Sequence, residues 1–484
     1  MSKVHRLKPE CLSFAELLAQ NIALISPTMT AALIVPLMFS NTGNASWMAY
    51  ALGTVLLLFV AFNLNQFSKR FTGAGSMYTY TSIGLGPTVG SLSGWCLIWS
   101  YLFIGLAGTT GFTVFCGKIL EAMGIHAPPV LLFAVCLGLC FVLAYKDIVI
   151  STLVMLVLEA ISCSLILLLC VAVLAGHGFA IDTAQLTLKD TSLSTMGLGV
   201  VVAIFSLVGF ESSTAFGEEA KDPFRTIPRS IIWSLLLTGA FFVFVCYVEV
   251  LGTRGYPKTL DAIDSPLTVL SGMYGLPYLA IPLAAGAMIS FFALALSCMN
   301  AGARVMFAMG RHGLFHDAVQ RSHLKNKTPH VALAIMAVLM FLVVAAFNVF
   351  AKVEVLDEFN DAGTMGAFGF MGAYLLITLA APFYLRKIGQ LTATGTLICA
   401  VGLALLLIPV VGAVYPVPPA PVKYFPYIFL AYVAVGIVRA IAFRIREPKL
   451  VGTILEELKA QCLPAGMAPA TVAAGGLVEE RSGR

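Results

Sequence analysis

Charge is scarce in this chain. Of 484 residues only 11% are Asp, Glu, Lys or Arg, where a soluble domain carries about 25%. Too few charges are present to wet a globule of this size, which argues against an ordinary soluble enzyme or binding domain. The sequence also lacks HExxH, GxSxG and phosphate-cradling glycine loops. The groups that zinc hydrolysis, acyl transfer or nucleotide binding need at fixed spacing are therefore missing. His312 and His316 stand at i, i+4 in a basic loop sequence and read as a solvated segment, not a metal site. The 11 cysteines fall singly in apolar stretches (Cys96, Cys163, Cys246, Cys298) or near the chain ends, and none clearly occupies an exported loop where a disulfide would form. No catalytic residue, metal or cofactor is expected.

What is abundant is apolar sequence. Hydrophobic residues make up 59% and the mean hydropathy is +0.93. The solvent must be lipid. Runs of roughly 20 apolar residues predict about twelve spans, near 17–39, 45–66, 88–116, 129–145, 148–175, 195–216, 230–251, 277–300, 331–350, 361–385, 393–414 and 425–443. The first contains Gln20 and Asn21 and lacks a small-residue cleavage site, so it reads as a retained helix. The tail from about Pro448 is rich in Ala, Gly and charge and reads as largely disordered. With both termini cytoplasmic, 23 of the 29 basic residues fall on the inner side and 6 on the outer, as the positive-inside rule requires. The +5 net charge thus reflects topology and gives no reason to expect nucleic acid as a partner.

Two spans break their own rules. In the first, Ser26-Pro27-Thr28-Met29-Thr30 puts a proline at mid-span. Proline removes a backbone donor and clashes with the preceding turn. The flanking hydroxyls can serve the freed groups, and a simple kink is an equal reading of this span alone. The sixth reads AIFSLVGFESSTAFGEEAKDPFRTIPR over 203–229, with Gly209 and Glu211 inside an apolar run. Spans one and six are the first members of two sets of five, and matched interruptions of this kind mark a transporter's binding site. Half-helix N-termini there offer N–H groups to an anion and freed carbonyls accept from an ammonium. A zwitterion fits both.

GFESSTAFGEEAKDPFRTIPRSI (209–231) resembles the sixth-helix signature of the amino acid–polyamine–organocation permease superfamily. GAGSMYTYTSIGLGPTVGSLSGW (73–95), NAGARVMFAMGRHGLF (300–315) and GTMGAFGFMGAYLL (363–376) are similar to its helix two–three link, the end of helix eight and helix ten. The resemblance covers about residues 12–445 and implies an all-α integral membrane protein of the leucine-transporter-like fold. That fold has two inverted five-helix repeats plus two extra helices, with helices one and six discontinuous. It divides the chain into a cytoplasmic segment 1–16, a transport core 17–385, two additional helices over 386–445 and a cytoplasmic tail 446–484.

The resemblance also implies a site. Ser26, Pro27, Thr28, Met29, Thr30 and Ala31 would bind the substrate, the backbone amides of Met29-Thr30-Ala31 gripping its carboxylate. Phe205 would form an aromatic gate, and the carbonyls of Phe205 and Val208 would face the ammonium, with Gly209 allowing the unwinding. Members often carry glycines where this chain has Met29-Thr30-Ala31, so side chains such as Thr30 are expected to share the contact. Many relatives place a lysine at the position of Glu159. A carboxylate out of water is costly to keep charged, so Glu159 is a candidate proton carrier, and Glu211 just below the break is the second. Sodium held by Glu159 and Ser297, or a permanently protonated structural Glu159, are the rival readings. Glu218, Glu219, Arg225 and Arg229 form a candidate cytoplasmic gate. The glycine rows on helices three and ten read as packing surfaces. The first break carries no acid of the kind polyamine carriers need. The expected function is proton symport of a neutral amino acid across the plasma membrane, the bacterial inner membrane. An exchanger, an amine carrier, a channel and a non-transporting sensor are the alternatives.

Overall fold

The computed structural model describes residues 7–188, 191–263, 265–415 and 417–460. Lys3, Arg6, Lys189, Arg481 and Arg484 of the charge count lie outside them. The main helices are α1 (Phe14–Ile25), α2 (Val35–Thr42), α3 (Ser46–Ser68), α4 (Met77–Leu85), α5 (Pro87–Ala122), α6 (Pro129–Lys146) and α7 (Ile148–Gly176). They continue with α8 (Leu193–Leu207), α9 (Pro223–Gly252), α10 (Ala280–Arg311), α11 (His330–Val349), α12 (Val355–Lys387), α13 (Ala393–Gly412), α14 (Phe425–Arg446) and α15 (Pro448–Ala460). No strand forms among the described residues; one isolated parallel bridge joins Leu12 to Ala220.

Eleven of the described segments are long and apolar enough to cross a membrane, one fewer than the twelve spans expected. The difference lies in Phe14–Ser68, one segment of 55 residues, which the sequence reading divides at 40–44. At ~1.5 Å per residue it exceeds twice the ~30 Å hydrocarbon core, and its course is interrupted at Gly43, where φ is +53°.

Helix α5 is central, packed between α10 and α12. Glycine makes that approach possible. A Cβ on Gly108 would lie 2.8 Å from Ala295 N, and one on Gly369 would lie 2.5 Å from Cys96 O. In lipid, where apolar burial gives no net drive between helices, such close contact is what holds a bundle together.

The loops sort to two ends. At the terminus end, Cys11 N and Leu12 N donate to Glu219 O at 2.8 and 2.9 Å, and Lys221 N donates to Leu12 O at 2.7 Å. Lys8 pairs with Asp147 at 2.7 Å. At the opposite end Arg254 pairs with Asp182 at 2.9 Å. At the terminus end the first part of the tail, Pro448–Ala460, is helical, with Ile454 and Leu458 buried; residues 461–484, its larger part, lie outside the described residues. One expectation there needs correction. His312 is buried, not solvated, and its Nδ1 lies 2.6 Å from Tyr78 Oη. Burial, with a smaller push from the neighbouring Arg311 charge, lowers its pKa to about 4.

Candidate functional site

The first break is built at Ser26. Its N–H closes α1 on Ile22 O at 2.9 Å, and the residue then turns left-handed, φ 52° and ψ 75°. That conformation costs a non-glycine residue about 1–2 kcal/mol and persists where surrounding contacts hold it. Pro27 opens the next turn, Pro27–Met29, where its missing N–H costs nothing. Thr30–Ile34 continues as a π-helix, a geometry frequent at functional sites. The Thr28 and Thr30 hydroxyls are buried with no hydrogen-bond partner. Native interiors rarely leave such groups unpaired.

The second break follows α8. Val208 is extended, with ψ 150°, and Gly209 has φ +97°. A Cβ on Gly209 would lie 1.8 Å from Leu24 Cδ2, so backbone and packing both demand glycine. Gly209→Ala is expected to destabilise the fold by about 1–3 kcal/mol. Thermal unfolding in detergent would read this as a lower midpoint, and an unchanged midpoint would contradict the packing. Gly209 N donates to Tyr374 Oη at 3.2 Å, and Tyr374 Oη donates to Glu211 Oε2 at 2.5 Å. Tyr101 reaches Glu211 Oε1 at 3.5 Å, the long limit of a hydrogen bond. Fully buried Glu211 therefore ties the unwound segment to α5 and α12.

The two breaks are pinned to each other. Asn21 Oδ1 accepts from Ser213 N at 2.7 Å and from Ser212 Oγ at 3.1 Å. From the first break a chain of hydroxyls runs to α7. Ser26 Oγ lies 3.0 Å from Ser290 Oγ, and Ser290 Oγ donates to Glu159 Oε1 at 2.6 Å. Glu159 Oε2 is buried without a partner. Ser297 is engaged elsewhere: Gln20 Nε2 donates to its Oγ at 2.7 Å, and Ser297 Oγ donates to Gln20 O at 2.9 Å. The hydroxyl beside Glu159 is Ser290, not Ser297.

A cavity of about 680 Å³ opens at the end away from the termini, within the range of small-molecule sites. Ala32, Leu33, Ile204, Phe205 and Phe368 line it, and among the described residues Asp261 is its one carboxylate. Of the predicted substrate residues, Phe205 lines this cavity; Ser26–Ala31, Val208 and Gly209 do not. The Phe205 ring lies against Gly363 of α12, where a Cβ would be 2.4 Å from Cζ.

At the terminus end the predicted gate residues take other partners. Buried Glu219 pairs bidentately with buried Arg304, Arg304 Nε to Oε2 at 2.5 Å and Nη2 to Oε1 at 2.8 Å. Arg304 also donates to Asn300 O at 2.9 Å and stacks 4.3 Å over the Phe216 ring. Glu218 pairs with Arg311 at 2.5 Å. Arg225 approaches Asp222, at 3.8 Å, and Arg229 is exposed. Glu219 and Glu218 are thus both tied to α10, through Arg304 and Arg311. Sequence reasoning counted Arg304 and Arg311 only as inner charges. It also passed over Ser290 and two further buried carboxylates, Glu249 and Glu358. Among the described residues no cluster of three or more metal-ligating side chains occurs.

Comparison with known proteins agrees with this architecture. The chain is 22% identical over 361 residues to the branched-chain amino acid permease BcaP of Bacillus subtilis, covering 70% of this chain and 74% of that one. It is 26% identical over 348 residues to the low-affinity putrescine importer PlaP of Escherichia coli, with the same coverages of 70% and 74%. The crystal structure of MhsT in complex with L-phenylalanine superimposes with a TM-score of 0.59 at 13% identity, covering 84% of this chain and 99% of that chain. A manganese transporter of Eremococcus coleocola gives 0.57 at 12% identity, covering 93% and 99%. These likenesses establish the leucine-transporter-like fold. The sequence profile of the family described as amino acid permease matches residues 17–438, and the chain belongs to that family.

Proposed function

We propose that this permease is a secondary active transporter of a neutral amino acid, driven by proton symport through alternating access. The observation that carries the reading is the Glu159–Ser290–Ser26 chain. It runs from an acid that can hold a proton to the strained residue at the first-helix break. Protonated Glu159 can sit uncharged in its buried pocket, while the charged form would lack compensation at Oε2. Loss of the proton therefore favours a state that admits water to α7, and that state must re-seat Ser290 and Ser26. In this reading the orphaned Thr28 and Thr30 hydroxyls meet the substrate carboxylate together with the backbone amides of the break. Glu211 steadies the second break through Tyr374. Neutral substrate chemistry rests on the apolar cavity floor, which holds Ala32, Ile204 and Phe205 and, among the described residues, has no acid other than Asp261. The branched-chain permease among the relatives fits that floor better than a diamine would.

Uptake of a panel of labelled amino acids and putrescine into proteoliposomes tests the reading. Accumulation of a neutral amino acid on an imposed pH gradient is the expected result. Putrescine as the sole accumulated substrate would overturn the substrate class, and sodium dependence with no pH response would overturn the coupling.

In the same reading Phe205 closes over the bound substrate and excludes water. Phe205→Ala is expected to raise KM at least tenfold with normal membrane insertion; wild-type kinetics would remove the gate role. We place both termini in the cytoplasm of a plasma-membrane protein on the basic-residue asymmetry. A cysteine at exposed Lys258 should then react with an impermeant thiol reagent on intact cells, while one at exposed Arg386 should not. Labelling at Arg386 would invert the topology.

A further inference from the structure

Away from the transport path, a second cavity of about 290 Å³ lies at the terminus end, between the start of α5, the turn after α10 and the end of α14. Its walls include Trp95, Leu314, Phe315, Gly436, Arg439 and Arg446. The wall is rigid. Trp95 Nε1 donates to Tyr432 O and Tyr432 Oη donates to Trp95 O, both at 3.0 Å, and the two rings stack 4.7 Å apart. Gly436 lets the indole nest on α14, since a Cβ there would lie 2.5 Å from Trp95 Cδ1. The Arg439 guanidinium rests over both Trp95 and Phe315, at 5.2 and 5.5 Å, and its Nη2 donates to Leu314 O at 2.8 Å. A guanidinium held flat by two rings and one carbonyl keeps its other edge for an acceptor.

Position identifies the acceptor. Arg439 and Arg446 lie two turns apart near the end of the last span, and only 11% of that span's apolar window is buried in the protein. The cavity therefore borders lipid at headgroup depth. Among the described side chains the charged ones lining it are Arg439, Arg446 and Glu447, which sum to one positive charge. That sum suits a phosphodiester with one negative charge better than a dianionic phosphomonoester. Glu447 can accept from a headgroup hydroxyl.

We infer that this cavity is a binding site for an anionic phospholipid of the terminus-side leaflet, with the phosphodiester between Arg439 and Arg446 and an acyl chain along α14. The site includes Met309 at the end of α10 and Gly313 and Phe315 in the turn after it; α10 also carries Ser290 and Arg304. An occupied site fixes α10 against α14 and so steadies the framework on which the breaks move. This inference does not rest on the proposed substrate or on proton coupling.

The test uses the full chain, purified and reconstituted in phosphatidylcholine alone or with added phosphatidylglycerol. Native mass spectrometry counts retained lipid, and thermal unfolding reads the stabilisation. The wild type is expected to retain phosphatidylglycerol and unfold at higher temperature in its presence. Each arginine near the headgroup plane is worth about a fivefold change in lipid affinity. R446Q should therefore bind about fivefold more weakly, and R439Q/R446Q about twenty-five-fold. Arg446 is exposed and outside the Trp95–Arg439 stack, so R446Q tests the site without disturbing that packing. Equal retention by wild type and variants would overturn the site. Inorganic phosphate added to phosphatidylcholine vesicles should leave the unfolding temperature unchanged; a shift matching that of the lipid would mean a free-anion site and overturn the lipid assignment.

Discussion

Glu159→Gln is expected to abolish accumulation driven by a proton gradient while leaving substrate binding and exchange in place. Glutamine keeps the size of the side chain and, through its amide oxygen, the bond from Ser290 that now reaches Glu159 Oε1 at 2.6 Å. It cannot release a proton. If one proton moves with each substrate, a gradient of one pH unit sustains about tenfold accumulation. The wild type should approach that ratio, with uptake rising as the outside is acidified, and the variant should stay near unity with a flat pH profile. Exchange needs only the loaded carrier to reorient, so preloaded vesicles should still trade labelled for unlabelled substrate. Accumulation that survives in Glu159→Gln would move coupling to Glu211, and Glu211→Gln is the control that separates the two. Ser290→Ala should fall between them. It leaves the acid but cuts the hydroxyl chain to Ser26, so accumulation should drop while the proton is still taken up.

The parts of this machinery differ in how plainly the sequence displays them. The second break was readable because Gly209 and Glu211 interrupt an apolar run, and neither residue belongs in a merely structural span. The position of Glu159 was readable for the same reason. Its partner was not. Serines are common in membrane helices, and nothing local marks Ser290 off from Ser297 until α10 has its rotation against α1 and α7. Gln20 then takes Ser297 and leaves Ser290 for the acid. Arg304 was hidden differently, because a basic residue near the inner end of a span already has an explanation in topology. Its burial appears only when Glu219, 85 residues earlier, is folded against it. The tail helix escaped notice because its apolar seam is short, with Ile454 and Leu458 buried among its described side chains. Such a seam is too weak to call a helix before the surface beneath it is known.

Arg304→Met is expected to be the most destabilising substitution at the terminus end, and a second substitution should separate stability from sealing. Removing the guanidinium leaves Glu219 buried with no counter-charge, a loss of about 3–5 kcal/mol for pairs of this kind. It also removes the bond to Asn300 O and the stack on Phe216. Thermal unfolding should show a clear fall, and loaded proteoliposomes should leak substrate. Glu219→Gln in the same chain removes the orphaned charge, and replacing a buried ion pair by neutral groups of similar volume is often close to neutral for stability. The double variant should therefore regain most of the lost thermal stability. The seal should not return with it. The 2.5 and 2.8 Å contacts tie α10 to the segment after the second break, and a glutamine facing a methionine supplies no such tie. If the pair is a gate, the double variant remains stable but accumulates substrate poorly and leaks it faster than wild type. If the pair serves only to hold the fold, restored stability brings restored accumulation, and the gate assignment fails. Arg311→Gln is the external comparison. Its partner Glu218 is partly exposed, with side-chain exposures of 32% and 23% for the pair, so its removal should cost no more than about 1 kcal/mol and leave the leak rate near that of wild type.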